Sequence, residues 1–358
     1  MTKQMTKKRR WIFSLAIITF VVGFMATLEM AVRVIYRHNK VYVECLGHAT
    51  GPLESYGEEL GWSLNPKIVQ NITTPFGDAV TYRTGIHGFR IYDEPEPAAH
   101  ETKVVFVGDS VTFGTGANKS FPNEFARISK LKSVNAGVPG YGTDQVFLMT
   151  KKIVDTLGFQ PRTVIYGFYW NDVGNNVSRL ATDFDQRLVV HKPILNLETM
   201  LYQHAAIEKN DLTRKYAPQG MVEAGQTILH QSRLLMAAER VIRYRLLRQS
   251  ERRAPPQFDE IAQNYLAANL DQFVAFLHSH NIEFVVLHIK GGQVDMESHL
   301  SKWLDAYCRK NTIRYIQPQL MREDYLPTDF HLSESGAEHV AALLWKDLQK
   351  GDQSKFAF

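Results

Sequence analysis

Cysteine is nearly absent. The chain has two in 358 residues, Cys45 and Cys308, far apart and in neither a metal-ligand spacing nor a Cys-x-x-Cys pair, so they build no disulfide framework and no thiolate metal site. Histidine and the carboxylates do not cluster at metal-ligand spacing either, so neither a metal nor a cofactor is expected. Net charge is also scarce: 41 basic residues against 37 acidic leave +4, which gives no reason to expect a nucleic-acid partner. There is no internal repeat and no low-complexity tract, which excludes repeat and fibrous architectures. An apolar share of 44% is enough to fill one large core or two modest ones.

Charge is absent altogether from one stretch. Residues 11–28, "WIFSLAIITFVVGFMATL", hold no charged residue and come directly after the basic "MTKQMTKKRR". Eighteen residues at ~1.5 Å rise reach about 27 Å, near the thickness of a bilayer's hydrocarbon, and Trp11 stands where an interfacial anchor belongs. No small-x-small cleavage site lies beyond it, so a retained signal anchor is favoured over a removed signal peptide. Lys7, Lys8, Arg9 and Arg10 are denser than Arg33, Arg37 and Lys40. The positive-inside rule then leaves residues 1–40 as a cytoplasmic tail plus anchor, with the rest of the chain extracytoplasmic, periplasmic or at the cell surface.

Residues 41–100 have scattered glycine and proline and no long period, and read as an extended, strand-rich lead-in arm packed on the main domain. Candidate parallel strands at 103–107, 133–135, 162–168, 283–289 and 313–316 alternate with helical stretches, the pattern of an α/β layer fold with a central parallel sheet of about five strands. The alternation breaks at about 178–259, too long for a simple crossover, and this segment reads as a helical cap inserted into a domain spanning 101–350. Within it "SRLLMAAERVIRYRLLRQSERR" reads as a solvated cap helix with arginines on its polar side.

The run "VVFVGDSVTFGTG" stops at Gly-Asp-Ser, which sets Ser110 at the carboxyl end of a buried strand, where open α/β sheets place their chemistry. A serine hydroxyl is a poor nucleophile until a base takes its proton and a third group orients that base. Near the other end, "YLPTDFHLSESGAEHVA" holds Asp329 and His331 two apart in a stretch that Pro327 keeps from helix, so an extended backbone points both to one side. Asp324 is the fallback acid. Ser335 and Glu338 have capping-box spacing for a helix running to about Gln349, and His339 reads as a residue of that helix's face. Acyl transfer also needs donors for the developing oxyanion. "VNAGVPGYGTDQ" offers backbone N–H groups in a glycine-rich turn, and "TVIYGFYWNDVGNN" ends a strand at Asn171, whose amide can donate. Taken singly, the first is also a plain turn and the second a helix cap.

In order, "GDS", "NAGVPGYG", "FYWND" and "DFHLSESG", each after a strand, resemble the SGNH (GDSL-type) esterase superfamily over residues 103–349, with a gap at the cap. The resemblance implies a three-layer α/β/α, flavodoxin-like fold. It implies Ser110 as nucleophile and first oxyanion donor, Gly140 and Asn171 as further donors, His331 as general base and then acid, Asp329 as its orienting partner and Asp109 as structural partner of the nucleophile turn. Two departures stand out. Phe330 alone separates the acid from the histidine, which resembles a membrane-associated, polysaccharide-related subset, and Trp170 precedes Asn171 where many relatives carry glycine. The implied activity is hydrolysis of an O-acyl group, foremost acetyl, on an envelope or secreted glycan, with an acylated glycan or lipid as substrate and the membrane met through the amino-terminal helix. An O-acetyltransferase using the same acyl-enzyme, a lysophospholipase and an inactive binding subunit remain alternatives.

Overall fold

A computed structural model of the chain describes residues 7–38, 53–57, 59–73, 79–177, 180–182, 189–204, 258, 260–291, 294–326 and 331–350. The chain divides into two units, Met1–Tyr42 with Ala206–Pro255, and Val43–Ala205 with Pro256–Phe358. In the first, helix α1 runs from Lys7 to His38. Its stretch Trp11–Ala31, 21 residues of mean hydropathy 2.2, has no buried share and is long and apolar enough to cross a membrane. The basic cap segment expected near 232–253 lies outside the described residues, as does Cys45.

The second unit is built on an eight-stranded mixed sheet among the described residues. Five strands are parallel: β6 (Val104–Gly108), β7 (Ser133–Asn135), β8 (Thr163–Phe168), β13 (Glu283–His288) and β14 (Arg314–Ile316). They fall on the five candidate strands of the sequence. Their order, β14-β13-β8-β6-β7, is that of a flavodoxin-like sheet. The chain leaves β6 outward to β7 and then returns past β6 to β8, so the direction of winding reverses between β6 and β8. A crevice opens at the carboxyl ends of strands at such a reversal.

Alternating residues send their side chains to opposite faces and so feed two apolar layers. Val105, Val107, Val164, Tyr166, Phe284 and Val286 join one layer, with Val146 and Phe147 of α4 (Thr143–Lys151), Leu270 and Phe273 of α6 (Glu260–Ser279) and Leu304 of α7 (Val294–Lys310). Val104, Phe106, Ile165, Val285 and Leu287 join the other, under Phe121 and Phe125 of α3 (Phe121–Ser129) and Val340, Leu344 and Leu348 of α8 (Glu334–Lys350). Strands buried on both faces are continuous apolar runs for this reason.

The sheet is larger than the sequence reading by three strands from the amino-terminal side. β3 (Val69–Thr73), β4 (Ala79–Thr84) and β5 (Arg90–Ile91) continue it past β7, all antiparallel. They cover the edge that β7 would otherwise expose, and β1 (Glu54–Gly57) and β2 (Gly61–Leu64) form a separate hairpin. Beyond β8 lie the short helix α5 (Asn171–Val177) and two hairpins, β9 (Leu180–Thr182) with β10 (Val189–His191) and β11 (Pro193–Asn196) with β12 (Leu201–His204). Cys308 on α7 is a buried free thiol whose pKa burial pushes up to about 12, the state of an inert core residue.

Candidate active site

β6 ends at Gly108 and gives way to a one-turn helix, α2 (Ser110–Phe113), with Asp109 as its cap: Asp109 Oδ1 accepts the Val111 N–H at 2.8 Å. This abrupt strand-to-helix turn leaves Ser110 half-buried at the sheet's carboxyl edge, at the point where the winding reverses. Its hydroxyl lies 2.9 Å from His331 Nε2, across 221 residues of sequence, and 3.4 Å from Asp109 Oδ2. The shorter, better-formed contact is the one to the imidazole. A serine so placed can pass its proton to the histidine as it attacks.

His331 is delivered by local pairing. Leu326 N–H donates to His331 O, Ser333 N–H to Asp324 O, and Tyr325 bridges Leu332 in antiparallel fashion. α8 then starts at Glu334, and the cap is Ser333 in place of the expected Ser335: its Oγ accepts the Gly336 N–H at 3.1 Å. Glu338 reaches Arg127 of α3 at 2.9 Å instead of closing a capping box. With Phe125 and Trp345 in edge contact, α8 is fixed against α3. Asp324, the fallback acid, is engaged elsewhere. Its carboxylate receives the Met321 N–H and sits 3.1 Å from His339 Nδ1, so His339 pairs with Asp324. Asp329 lies outside the described residues.

Around the pair the site is buried and acidic. Asp109 is fully enclosed, and burial pushes its carboxyl above the ordinary range. The Val111 N–H, the charge of His331 and side-chain hydrogen bonds from Asn171 and Ser110 pull the other way. Asn171, first residue of α5, thus reaches the nucleophile turn through Asp109. Its neighbour Asp172 is also fully buried: Oδ2 accepts from Tyr166 Oη at 2.7 Å and from the Tyr169 N–H at 3.1 Å. Burial first, then the nearby Asp109 charge, push Asp172 well above the ordinary carboxylate range. Tyr166 Oη continues to Thr143 Oγ1 at 2.9 Å, and Thr143 Oγ1 accepts from Asn176 Nδ2 at 3.1 Å. The polar network behind the site therefore ties β8, α4 and α5 together.

Gly140 stands on the exposed turn after β7 with φ +79, the left-handed region that glycine enters without strain. The sequence reading missed what holds that turn. Trp62 of β2 donates from Nε1 to Pro139 O at 2.9 Å, its ring meets Tyr141 edge-on at 5.5 Å, and Tyr141 Oη donates to Trp62 O at 2.5 Å. A buried tryptophan in "LGWSL" carries no sequence signal of which loop it supports.

No family model matches the chain, and no curated protein matches it in sequence. Among solved structures it is similar to a GDSL-like lipase from Bacteroides thetaiotaomicron, 13% identical over 72% of this chain and 93% of that one, with a TM-score of 0.38. An acetyl xylan esterase from the rumen bacterium Butyrivibrio proteoclasticus is 11% identical over 78% of this chain and 68% of its own, at a TM-score of 0.39. A catalytic mutant of an acetylxylan esterase from Geobacillus stearothermophilus is 11% identical over 70% and 95% of the two chains, again at 0.39. Likeness at these levels assigns neither reaction nor substrate, and what the site does is read from its own groups.

Proposed function

We propose that this chain is a serine ester hydrolase of the SGNH (GDSL) type, held at a membrane by α1, that acts through an acyl-enzyme on O-acyl groups, foremost O-acetyl, of an envelope or secreted glycan. The observation that carries the reaction class is the 2.9 Å contact of Ser110 Oγ with His331 Nε2 at the carboxyl edge of the sheet. Support for the substrate comes from the motif resemblance and from the anchor placed ahead of the domain.

In this reading Ser110 Oγ bonds to the ester carbonyl carbon while its proton passes to His331 Nε2. The carbonyl oxygen becomes an oxyanion, received by the N–H groups of Ser110 and Gly140 and the amide of Asn171. Collapse breaks the ester C–O bond, and His331 returns the proton to the departing sugar oxygen. A water then attacks the acyl-enzyme with His331 again as base, which releases the acid and restores Ser110. Asp329 orients the imidazole and Asp109 offsets its positive charge.

The test uses the full chain in detergent. A fluorophosphonate probe should modify Ser110, and turnover of a short-chain aryl ester should fall by several orders of magnitude in Ser110→Ala and in His331→Ala. The double variant should be no worse than either single, because the two groups act as one unit. Losses that multiply would break the pairing. For the substrate, mass spectrometry of envelope glycans from cells carrying Ser110→Ala should show acetyl groups gained relative to wild type. Acetyl groups lost would assign the transfer direction instead.

A further inference from the structure

Among the described residues Arg90 is one of the largest fully enclosed side chains, 1% exposed, and it belongs to β5, on the arm that precedes the parallel sheet. An enclosed guanidinium is costly unless its donors are satisfied. Arg90 spends four of them on backbone carbonyls: Nη1 on Phe113 O at 2.5 Å and Gly114 O at 2.6 Å, and Nη2 on Ala117 O at 2.5 Å and Asn118 O at 2.7 Å. The group lies against the rings of Tyr82 and Phe113, 4.8 and 4.7 Å from their centroids. All four carbonyls belong to the end of α2 and the loop after it, a few residues from the Ser110 that begins α2.

That loop needs holding. A helix of one turn leaves its last carbonyls without helical partners. Asn135, which faces Arg90 across the β5–β7 pair, takes Thr112 O at 2.9 Å, and Arg90 takes the next. Gly114 turns the chain at φ +84, and a Cβ there would stand 2.9 Å from Arg90 Nη1. The far side of the loop reaches the base. Asn118 donates from its backbone N and from Nδ2 to Glu334 Oε1, both at 3.2 Å, and Glu334 begins α8 three residues after His331. The arm grips the same loop twice more: Gly116 N–H donates to Tyr82 Oη at 2.7 Å, and Thr81 N–H to Asn118 Oδ1 at 2.9 Å.

We infer that Arg90 is a positioning residue for the reaction. It locks loop 114–118, and with it the α2 turn that presents Ser110 and the Glu334 contact that seats the start of α8, so that hydroxyl and imidazole stay within hydrogen-bond reach. The inference rests on the reading of Ser110 and His331 as the reacting pair, and it makes the arm a working part of the site.

The experiment measures fluorophosphonate labelling of Ser110 and steady-state ester turnover on the full chain in detergent, with circular dichroism and thermal melting on the same samples. Arg90→Lys keeps the charge and stem and loses the fork. At a temperature where it is folded, it should label and turn over about tenfold or more slowly with KM within about twofold, the signature of a misplaced reacting group. Glu334→Ala, an exposed position, should slow labelling severalfold. The double variant should be no slower than Arg90→Lys alone, because both act through one loop. Arg90→Lys labelling at the wild-type rate, or losses that multiply in the double variant, would overturn the inference. Should Arg90→Lys fail to fold, Glu334→Ala decides: severalfold slowing upholds the inference, and a wild-type rate overturns it. A wild-type chain labelled no faster than Ser110→Ala removes the reading of the site and the inference with it, whereas a labelled wild type with an unaffected Arg90→Lys removes the inference alone.

Discussion

Asn171 and Asp172 are adjacent in the sequence and do different work. Asn171 reaches Asp109 with its side chain and, in the proposed role of oxyanion donor, should matter to the transition state. Asn171→Ala should cost about 2.7–4 kcal/mol there, a loss on the order of 10²–10³ in turnover with KM little changed. A residue that only began α5 would cost ~1 kcal/mol of stability on truncation and leave turnover near wild type. Turnover and thermal midpoint from one preparation tell the two apart. Asp172 instead holds Tyr166 Oη and the Tyr169 N–H from a fully buried position. Its carboxyl is pushed up by burial and then by Asp109, so the folded chain binds that proton more tightly than the unfolded chain does. The stability this gives is complete below the ordinary carboxylate value and is lost as pH rises through the folded value. Asp109 and Asp144 are pushed the same way. The thermal midpoint should therefore fall as pH rises above the ordinary carboxylate value, and Asp172→Asn, which keeps an acceptor for Tyr166, should flatten that slope. An undiminished slope in the variant would show that Asp172 titrates normally.

At the scale of elements, one buried ion pair fixes the hairpin β11–β12 to the helix beside the site. Lys192, just before β11, is 2.8 Å from Asp144 in the first turn of α4, with both side chains almost fully enclosed, and its Nζ also donates to Asn175 O. Asp144 Oδ1 meanwhile accepts the Gln145 N–H at 2.8 Å. Removing one member leaves an uncompensated buried charge. Lys192→Met should destabilise by about 3–5 kcal/mol, whereas Lys192→Met combined with Asp144→Leu should recover most of that loss, because two apolar side chains replace a pair whose desolvation nearly offsets its attraction. Thermal or denaturant unfolding of the three variants measures it. A double variant as unstable as the single would mean that the pair contributes a shape that methionine and leucine cannot supply.

Across the whole molecule, the arm is as much a part of the folded unit as the parallel strands. Its residues Leu60, Trp62, Leu64, Val80, Tyr82 and Phe89 are buried in the same apolar layer as Val105 and Tyr166, and β5 closes the edge of β7. A chain that begins at residue 41 should be soluble and should label with a fluorophosphonate. A chain that begins at residue 101 exposes that apolar surface and an unpaired strand edge, and should aggregate. Solubility after expression, with labelling of the soluble fraction, checks both. A soluble, reactive 101–358 fragment would reduce the arm to a tether.

Much of this protein is written in local pattern. Strands buried on both faces must be unbroken apolar runs, so the central strands β6, β8 and β13 are legible as such, the edge strands β7 and β14 more through their place in the alternation with helices, and "VVFVGDS" shows where the serine leaves the sheet. The uncharged stretch 11–28 is legible for the same reason, since a bilayer demands length and apolarity and nothing else. Short antiparallel strands lined by mixed residues carry no comparable signature, so the arm reads as strand-rich without showing where β3, β4 and β5 begin or that they extend the main sheet, and "GFR" gave no sign that its arginine is enclosed. Ser333 and Ser335 are equally good caps on paper, and only the pairing of 324–326 with 331–333 selects the first. Which acid serves which histidine was equally open: Asp324 is taken by His339 because the turn at 322–324 packs under α8. Local pattern determined the parallel elements and marked the two residues proposed here as the reacting pair. Contact between residues 221 apart, and the choice of an arginine from the arm to hold them there, were decided by the tertiary fold, because only closure of the sheet brings those distant backbones within hydrogen-bond range.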